Sequence, residues 1–160
     1  MIVVSNASPL IALAKVGRLD LLPELFESIF LSQAVYDEVA KSGGERPGAL
    51  EIRKADWIEV KPIKDKSKVS YLLADLDKGE AETLVLAEEL SANWVLLDET
   101  KARLVAELLS LNYIGTIGLL LLFKRSGKIT LLRPVLDELR ENHFYISERV
   151  YQIALAEAGE

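Results

Sequence analysis

Asn6, Glu38, Glu80 and Asp98 are the positions from which a hard-cation centre could be assembled in this sequence. Carboxylate and amide oxygens, with neither thiolate nor imidazole beside them, suit Mg2+ or Mn2+, ions that activate water and offset charge at a phosphoryl centre. Each position also has a purely structural explanation. Asn6 follows an apolar run and could form a turn or offer a neutral oxygen. Ser8-Pro9 reads as an N-cap followed by the first residue of a helix, although a helix N-terminus also suits an anion. Asp77 and Glu80 have the spacing of a capping box, and Asp98 could cap a helix over Glu99–Leu109. Glu38 falls in a predicted helix Gln33–Lys41, on the same face as Ala34, Val35 and Val39. A carboxylate on a core face needs a cation, an arginine or a wet pocket beside it, because burying an unpaired charge is costly.

Short β-branched or aromatic runs at Ile2–Val4, Ile29–Leu31, Trp57–Val60, Trp94–Leu97 and Tyr113–Ile114 alternate with helical stretches. Such alternation predicts a parallel sheet covered by helices, and chemistry in this architecture gathers outside the carboxyl ends of the strands. Asn6 and Ser8 follow the first run, Asp98 the fourth and Thr116 the fifth. The apolar segment Ala81–Ala87 predicts a helix buried on most sides, with Glu80 at its mouth and Glu82 facing elsewhere. Helices are expected through Lys124, near Leu131–Glu141 and near Ser147–Ala158. Ser42–Gly48 reads as a loop.

The 160 residues, half of them apolar, are enough for one compact α/β domain over 1–160. There is no cysteine, which removes disulfides and thiolate zinc sites and fits a reducing, cytoplasmic setting. The apolar run Ile117–Phe123 is too short to span a bilayer, so no membrane association is expected. A net charge of −6 argues against binding nucleic acid through overall charge. Cations are gathered locally in Lys61, Lys64, Lys66 and Lys68, while Lys101 and Arg103 fall within a turn of Asp98 and could approach a phosphodiester. The lone histidine, His143, is expected in a helical tail away from the strand ends, as a surface or packing residue. No G-x-S-x-G elbow, P-loop or glycine-rich dinucleotide turn is present.

Read together, VVSNASPLIALAKVG (Val3–Gly17), AVYDEVA (Ala34–Ala40), KGEAETLVLA (Lys78–Ala87), VLLDETKARLVA (Val95–Ala106) and YIGTIGLLL (Tyr113–Leu121) resemble the PIN-domain ribonucleases, most closely a prokaryotic subfamily akin to the VapC-type toxins. The resemblance implies a three-layer α/β/α sandwich with a central parallel sheet. It implies a metal-dependent RNA phosphodiesterase, with Asn6, Glu38, Glu80 and Asp98 in the places of its acidic quartet. Asp98 and Glu80 would be the main metal ligands and Glu38 would hold metal or orient water. Asn6 and Ser8 would supply neutral oxygens, with Thr116 in support. Homodimerisation and an antitoxin partner are implied in the same way. Asn6 and Glu80 both depart from the commonest pattern, in which those positions are Asp. Asn6 removes one negative charge, which weakens metal binding and leaves a catalytically weak or inactive module for RNA or a protein partner as the alternative.

Overall fold

The computed structural model describes residues 1–41 and 44–160; Ser42 and Gly43, at the head of the expected Ser42–Gly48 loop, lie outside the described residues. The strands are β1 (Val3–Ser5), β2 (Ile29–Leu31), β3 (Ile58–Val60), β4 (Trp94–Leu96) and β5 (Tyr113–Ile114). They form one sheet in the order β3-β2-β1-β4-β5, every pairing parallel. The helices are α1 (Ala7–Lys15), α2 (Leu22–Phe26), α3 (Gln33–Tyr36), α4 (Ala49–Lys54), α5 (Lys66–Leu72), α6 (Lys78–Glu89), α7 (Thr100–Leu108), α8 (Thr116–Arg125), α9 (Leu132–Glu141) and α10 (Glu148–Glu157).

Alternation along the strands divides the interior in two. Val3, Leu31 and Leu96 enter a core made with α1, α8, α9 and α10. Val4, Val95 and Leu97 enter a second core made with α6 and α7, to which Val69 of α5 adds. The result is the parallel sheet covered by helices that the alternating pattern predicts, in the three-layer α/β/α sandwich that the resemblance implies. Helix α6 is buried from Ala81 to Ala87 except at Glu82, whose Oε1 accepts from the Ala34 amide at 3.2 Å at the start of α3.

Three local expectations are corrected. The strand β1 runs on to Ser5, and the Asn6 amide donates to the Leu96 carbonyl at 3.0 Å, so pairing continues until α1 begins at Ala7. Asn6, not Ser8, therefore stands at the N-cap, its side chain making no capping hydrogen bond; Ser8 and Pro9 lie inside the first turn. Proline is tolerated there because the amides of a first turn have no intrahelical partner to lose.

The helix expected over Gln33–Lys41 is α only to Tyr36 and widens to a π turn over Asp37–Lys41. Val35, Val39 and Ala40 stay buried, whereas Glu38 is exposed rather than on the core face. Inserted π turns recur beside functional sites because they re-aim side chains. Asp98 does not cap α7, a place taken by Glu99; it bonds instead to the start of α8.

Helix α8 closes on β5 through Gly118, where an added Cβ would lie 2.6 Å from Cγ1 of Ile114. Gly118→Ala should therefore destabilise the protein by roughly 1–2 kcal/mol, although alanine gains up to about 1 kcal/mol of helix propensity. Urea unfolding measures this directly. In an Ile114→Ala background the same change should become stabilising, and a stabilised Gly118→Ala single variant would contradict the packing described.

Candidate functional site

Two adjoining clefts open at the carboxyl edge of the sheet. The smaller, of about 300 Å³, is lined by Asn6, Ala7, Ser8, Ile11, Glu38, Arg46, Asp77, Glu80 and Glu99. Three segments, the π turn after α3 and the starts of α6 and α7, thus deliver carboxylates to one place, and the end of β1 adds an amide. Asn6 arrives at the end of β1 and is buried, with 5% of its surface exposed. Glu38 comes from the π turn and Glu99 from the start of α7. Asp77 and Glu80 form the first turn of α6 as a capping box: the Asp77 side chain accepts from the Glu80 amide at 2.8 Å, and Glu80 Oε1 accepts from the Asp77 amide at 3.0 Å. Both explanations of Glu80 therefore hold, because one of its oxygens caps the helix while the residue lines the cleft.

The electrostatics of this cleft are those of a place short of positive charge. Desolvation raises the Glu38 carboxyl above its ordinary value, and Asp77 pushes it further, while Arg46 opposes the shift. Desolvation likewise raises Glu80; the Asp77 amide opposes this, and the charges of Asp77, Glu99 and Glu38 add to it. Carboxyls that disfavour one another's ionisation are relieved by a bound cation, and their hard oxygens suit Mg2+ or Mn2+. The donor set fits such an ion in chemistry. As the side chains stand, no group of three or more acidic residues is drawn close enough to hold one, among the described residues.

Asp98 lies next door. Its Oδ1 accepts from the Thr116 amide and its Oδ2 from the Thr116 hydroxyl, both at 2.7 Å, and Arg103 Nη2 stands 3.9 Å from Oδ1. With Thr116 it joins the end of β4 to the start of α8. Asp98 lines the larger cleft, of about 760 Å³, together with Thr100, Arg103, Tyr113, Gly115 and the loop His143–Ser147. Ser8 and Glu99 line both clefts and make them continuous.

The structure thus brings Asn6, Ser8, Glu38 and Glu80 together and sets Asp98 with Thr116 across their shared wall. Asp77, Glu99 and Arg46 join the small cleft without having been singled out from sequence. Glu99 had a signal in directly following Asp98 at a strand end, and Asp77 one in its capping spacing. Arg46, within a Gly- and Pro-rich loop, had none. His143 is exposed, as expected of a surface residue, but its expected distance from the strand ends is corrected: it lies in the turn after α9, with a left-handed φ of 65°, and lines the larger cleft with Asp98.

Of the expected RNA-contacting cations, Arg103 alone lines either of these two clefts. Lys61 stands 3.7 Å from Glu59 and 5.9 Å from the Phe30 ring, and Lys68 pairs with Glu88. Lys66 starts α5, the Lys64 amide donates to Glu89 at 2.9 Å, and Lys101 is exposed on α7. A family model described as a PIN domain matches residues 2–160. No curated protein matches the chain.

The raised carboxyls have a consequence for stability. Where a folded carboxyl titrates above its unfolded value, the folded state binds more protons, so stability is fully present below the unfolded value and is lost as pH rises through the folded one. Without divalent ions, Glu80→Gln should therefore gain stability over the parent at pH 8 but not near pH 4. Urea midpoints in chelator at both pH values test this, and an equal effect at the two would contradict the assigned cause.

Proposed function

The chain belongs to the PIN-domain family, and from that premise we propose that it is a divalent-metal-dependent ribonuclease working at the shared wall of the two clefts. The family supplies a nuclease fold. The observation that carries the finer reading is the mutual repulsion of Glu38, Asp77, Glu80 and Glu99 in one partly desolvated cleft.

Glu80 and Asp98 would hold the ion, each keeping lone pairs beyond those used by the capping box and by Thr116. Bound there, Mg2+ or Mn2+ would activate a water and offset charge on the phosphoryl group. Asn6 and Ser8 supply neutral oxygens, and Glu38 orients the attacking water. Thr116 acts through Asp98, fixing the carboxylate by two hydrogen bonds so that it need not reorganise. A phosphodiester would bring its own negative charge to this wall, where Arg103 stands opposite the acidic side chains.

A toxin role with an antitoxin partner, a homodimer and a cytoplasmic site of action belong to the same reading and rest on the family resemblance. Among the described residues, no helix is long and apolar enough to cross a membrane. A second reading, an RNA- or protein-binding module without turnover, is favoured by the neutral Asn6 and by the separation of Asp98 from the smaller cleft.

Incubation of single-stranded and structured RNA with the purified protein decides between them. Cleavage should require Mn2+ or Mg2+, stop on chelation and be abolished in Asp98→Asn, whereas RNA retention with no cleavage under any divalent ion would establish the binding module. Thr116→Val, which keeps the amide but removes the hydroxyl, should lower activity by about 10- to 100-fold. Asn6→Asp should tighten Mn2+ binding and raise the rate; an unchanged affinity would remove the ligand role of this position.

A further inference from the structure

The larger cleft has features that metal binding leaves unused. Its guanidinium is built in: Arg103 Nε donates to the Leu97 carbonyl at 2.9 Å, and its Cζ lies 5.1 Å from the centre of the Tyr113 ring. With Nε committed, Nη1 and Nη2 make no hydrogen bond among the described residues, and Nη2 stands 3.9 Å from Asp98 Oδ1. Gly115 makes room for this arrangement, since an added Cβ would fall 2.0 Å from Arg103 Nη2 and 2.8 Å from Asp98 Oδ1.

Across the cleft, the loop His143–Ser147 presents an aromatic ring. Phe144 packs against the core and Ile146 is buried, which anchors the chain on either side of Tyr145 and leaves Tyr145 86% exposed. The loop is pinned from below, because the Phe144 amide donates to the Leu139 carbonyl at 3.0 Å and Arg140 Nη2 to the Ile146 carbonyl at 3.0 Å. The ring is thus held out by a fixed segment at the lip of a cleft continuous with the acidic one.

We propose that this cleft is a nucleotide subsite, in which Tyr145 stacks on an unpaired base and Arg103 receives the phosphate adjoining the one that is cut. The assignment rests on the nuclease reading for its occupant. A volume of about 760 Å³ is ample for a nucleotide. A guanidinium presenting free donors matches phosphate oxygens, and an exposed ring accepts any base by its π-face. A base must leave its helix to stack in this way, so the subsite selects single strands over duplex.

The test uses the full chain in chelator, with a fluorescein-labelled 12-nucleotide single-stranded RNA, its fully abasic counterpart and an RNA duplex, followed by anisotropy. Tyr145→Ala should weaken binding of the single strand by about tenfold, and Tyr145→Phe should restore it. The parent should lose a similar factor on abasic RNA, and Tyr145→Ala should lose nothing further. Steady-state cleavage with Mn2+ should show the Tyr145→Ala effect in KM more than in kcat. RNA cleavage with affinity and KM indifferent to Tyr145 overturns the subsite while leaving the nuclease. Tyr145-dependent binding to a strand that is never cut supports the subsite and overturns the nuclease. Absence of both binding and cleavage overturns both, and equal affinity for duplex overturns the base-stacking assignment.

Discussion

Parallel pairing of β1 with β4, which sets Ser5 opposite Leu96 and lets the Asn6 amide donate to the Leu96 carbonyl at 3.0 Å, is the contact on which the site depends. It fixes where two chains of polar residues leave the sheet: Asn6 and Ser8 from one strand, Asp98 and Glu99 from its neighbour. A slip of one residue would exchange the faces of Val3 and Val4, which belong to different cores, and so would be opposed by both. The positions of the polar groups are in this way set by apolar packing beneath them. Helix α6 adds Glu80 under the same kind of control, since its apolar body is buried and its first turn is closed reciprocally by Asp77.

With the backbone held in that register, charge divides the carboxyl edge into two unlike halves. The smaller cleft gathers Glu38, Asp77, Glu80 and Glu99 against a single lining cation, Arg46. The larger contains Asp98 and the shared Glu99 but also Arg103, which is anchored by a carbonyl and a ring rather than by a close ion pair. A polyanion laid across both would meet the arginine on one side and need a cation on the other. This arrangement accounts for how an acidic chain could engage nucleic acid without a basic surface: the positive charge is placed locally, and a divalent ion would complete it.

The sheet, its helical layers and the buried character of α6 were legible because apolar periodicity records burial directly. The five expected strands match those observed to within a residue or so at each end, and the helices after Thr116 lie where their patterns place them. Less legible were features decided by contacts between distant segments. Ser8-Pro9 is a good local helix start, but pairing of β1 through Asn6 moves the helix boundary back past it. Gln33–Lys41 has a helical pattern throughout, yet a π turn within it carries Glu38 outward. Asp98 has the local features of an N-cap, and only the approach of β5 reveals Thr116 as its partner. The turn that carries His143 and Tyr145 beside Asp98 has no sequence signal stronger than a loop. Local propensity ranks local alternatives; it does not contain the tertiary partner that chooses between them.

The neutral residue at position 6 can be understood from the same balance. Asn6 is nearly buried, so a carboxylate there would be desolvated beside groups whose ionisation is already disfavoured. The amide keeps an oxygen at the end of β1 while sparing the fold that repulsion whenever no cation is bound. In the metal site proposed above, what it would give up is attraction for the ion. On that proposal, stability and affinity would pull in opposite directions at this position, as they do wherever a site assembles like charges before its ligand arrives. The two hydrogen bonds that Thr116 gives Asp98 work in the same sense, keeping that carboxylate satisfied. In such a fold the apolar cores supply the rigidity, and local hydrogen bonds from the Asp77 amide and from Thr116 hold Glu80 and Asp98 at the carboxyl edge.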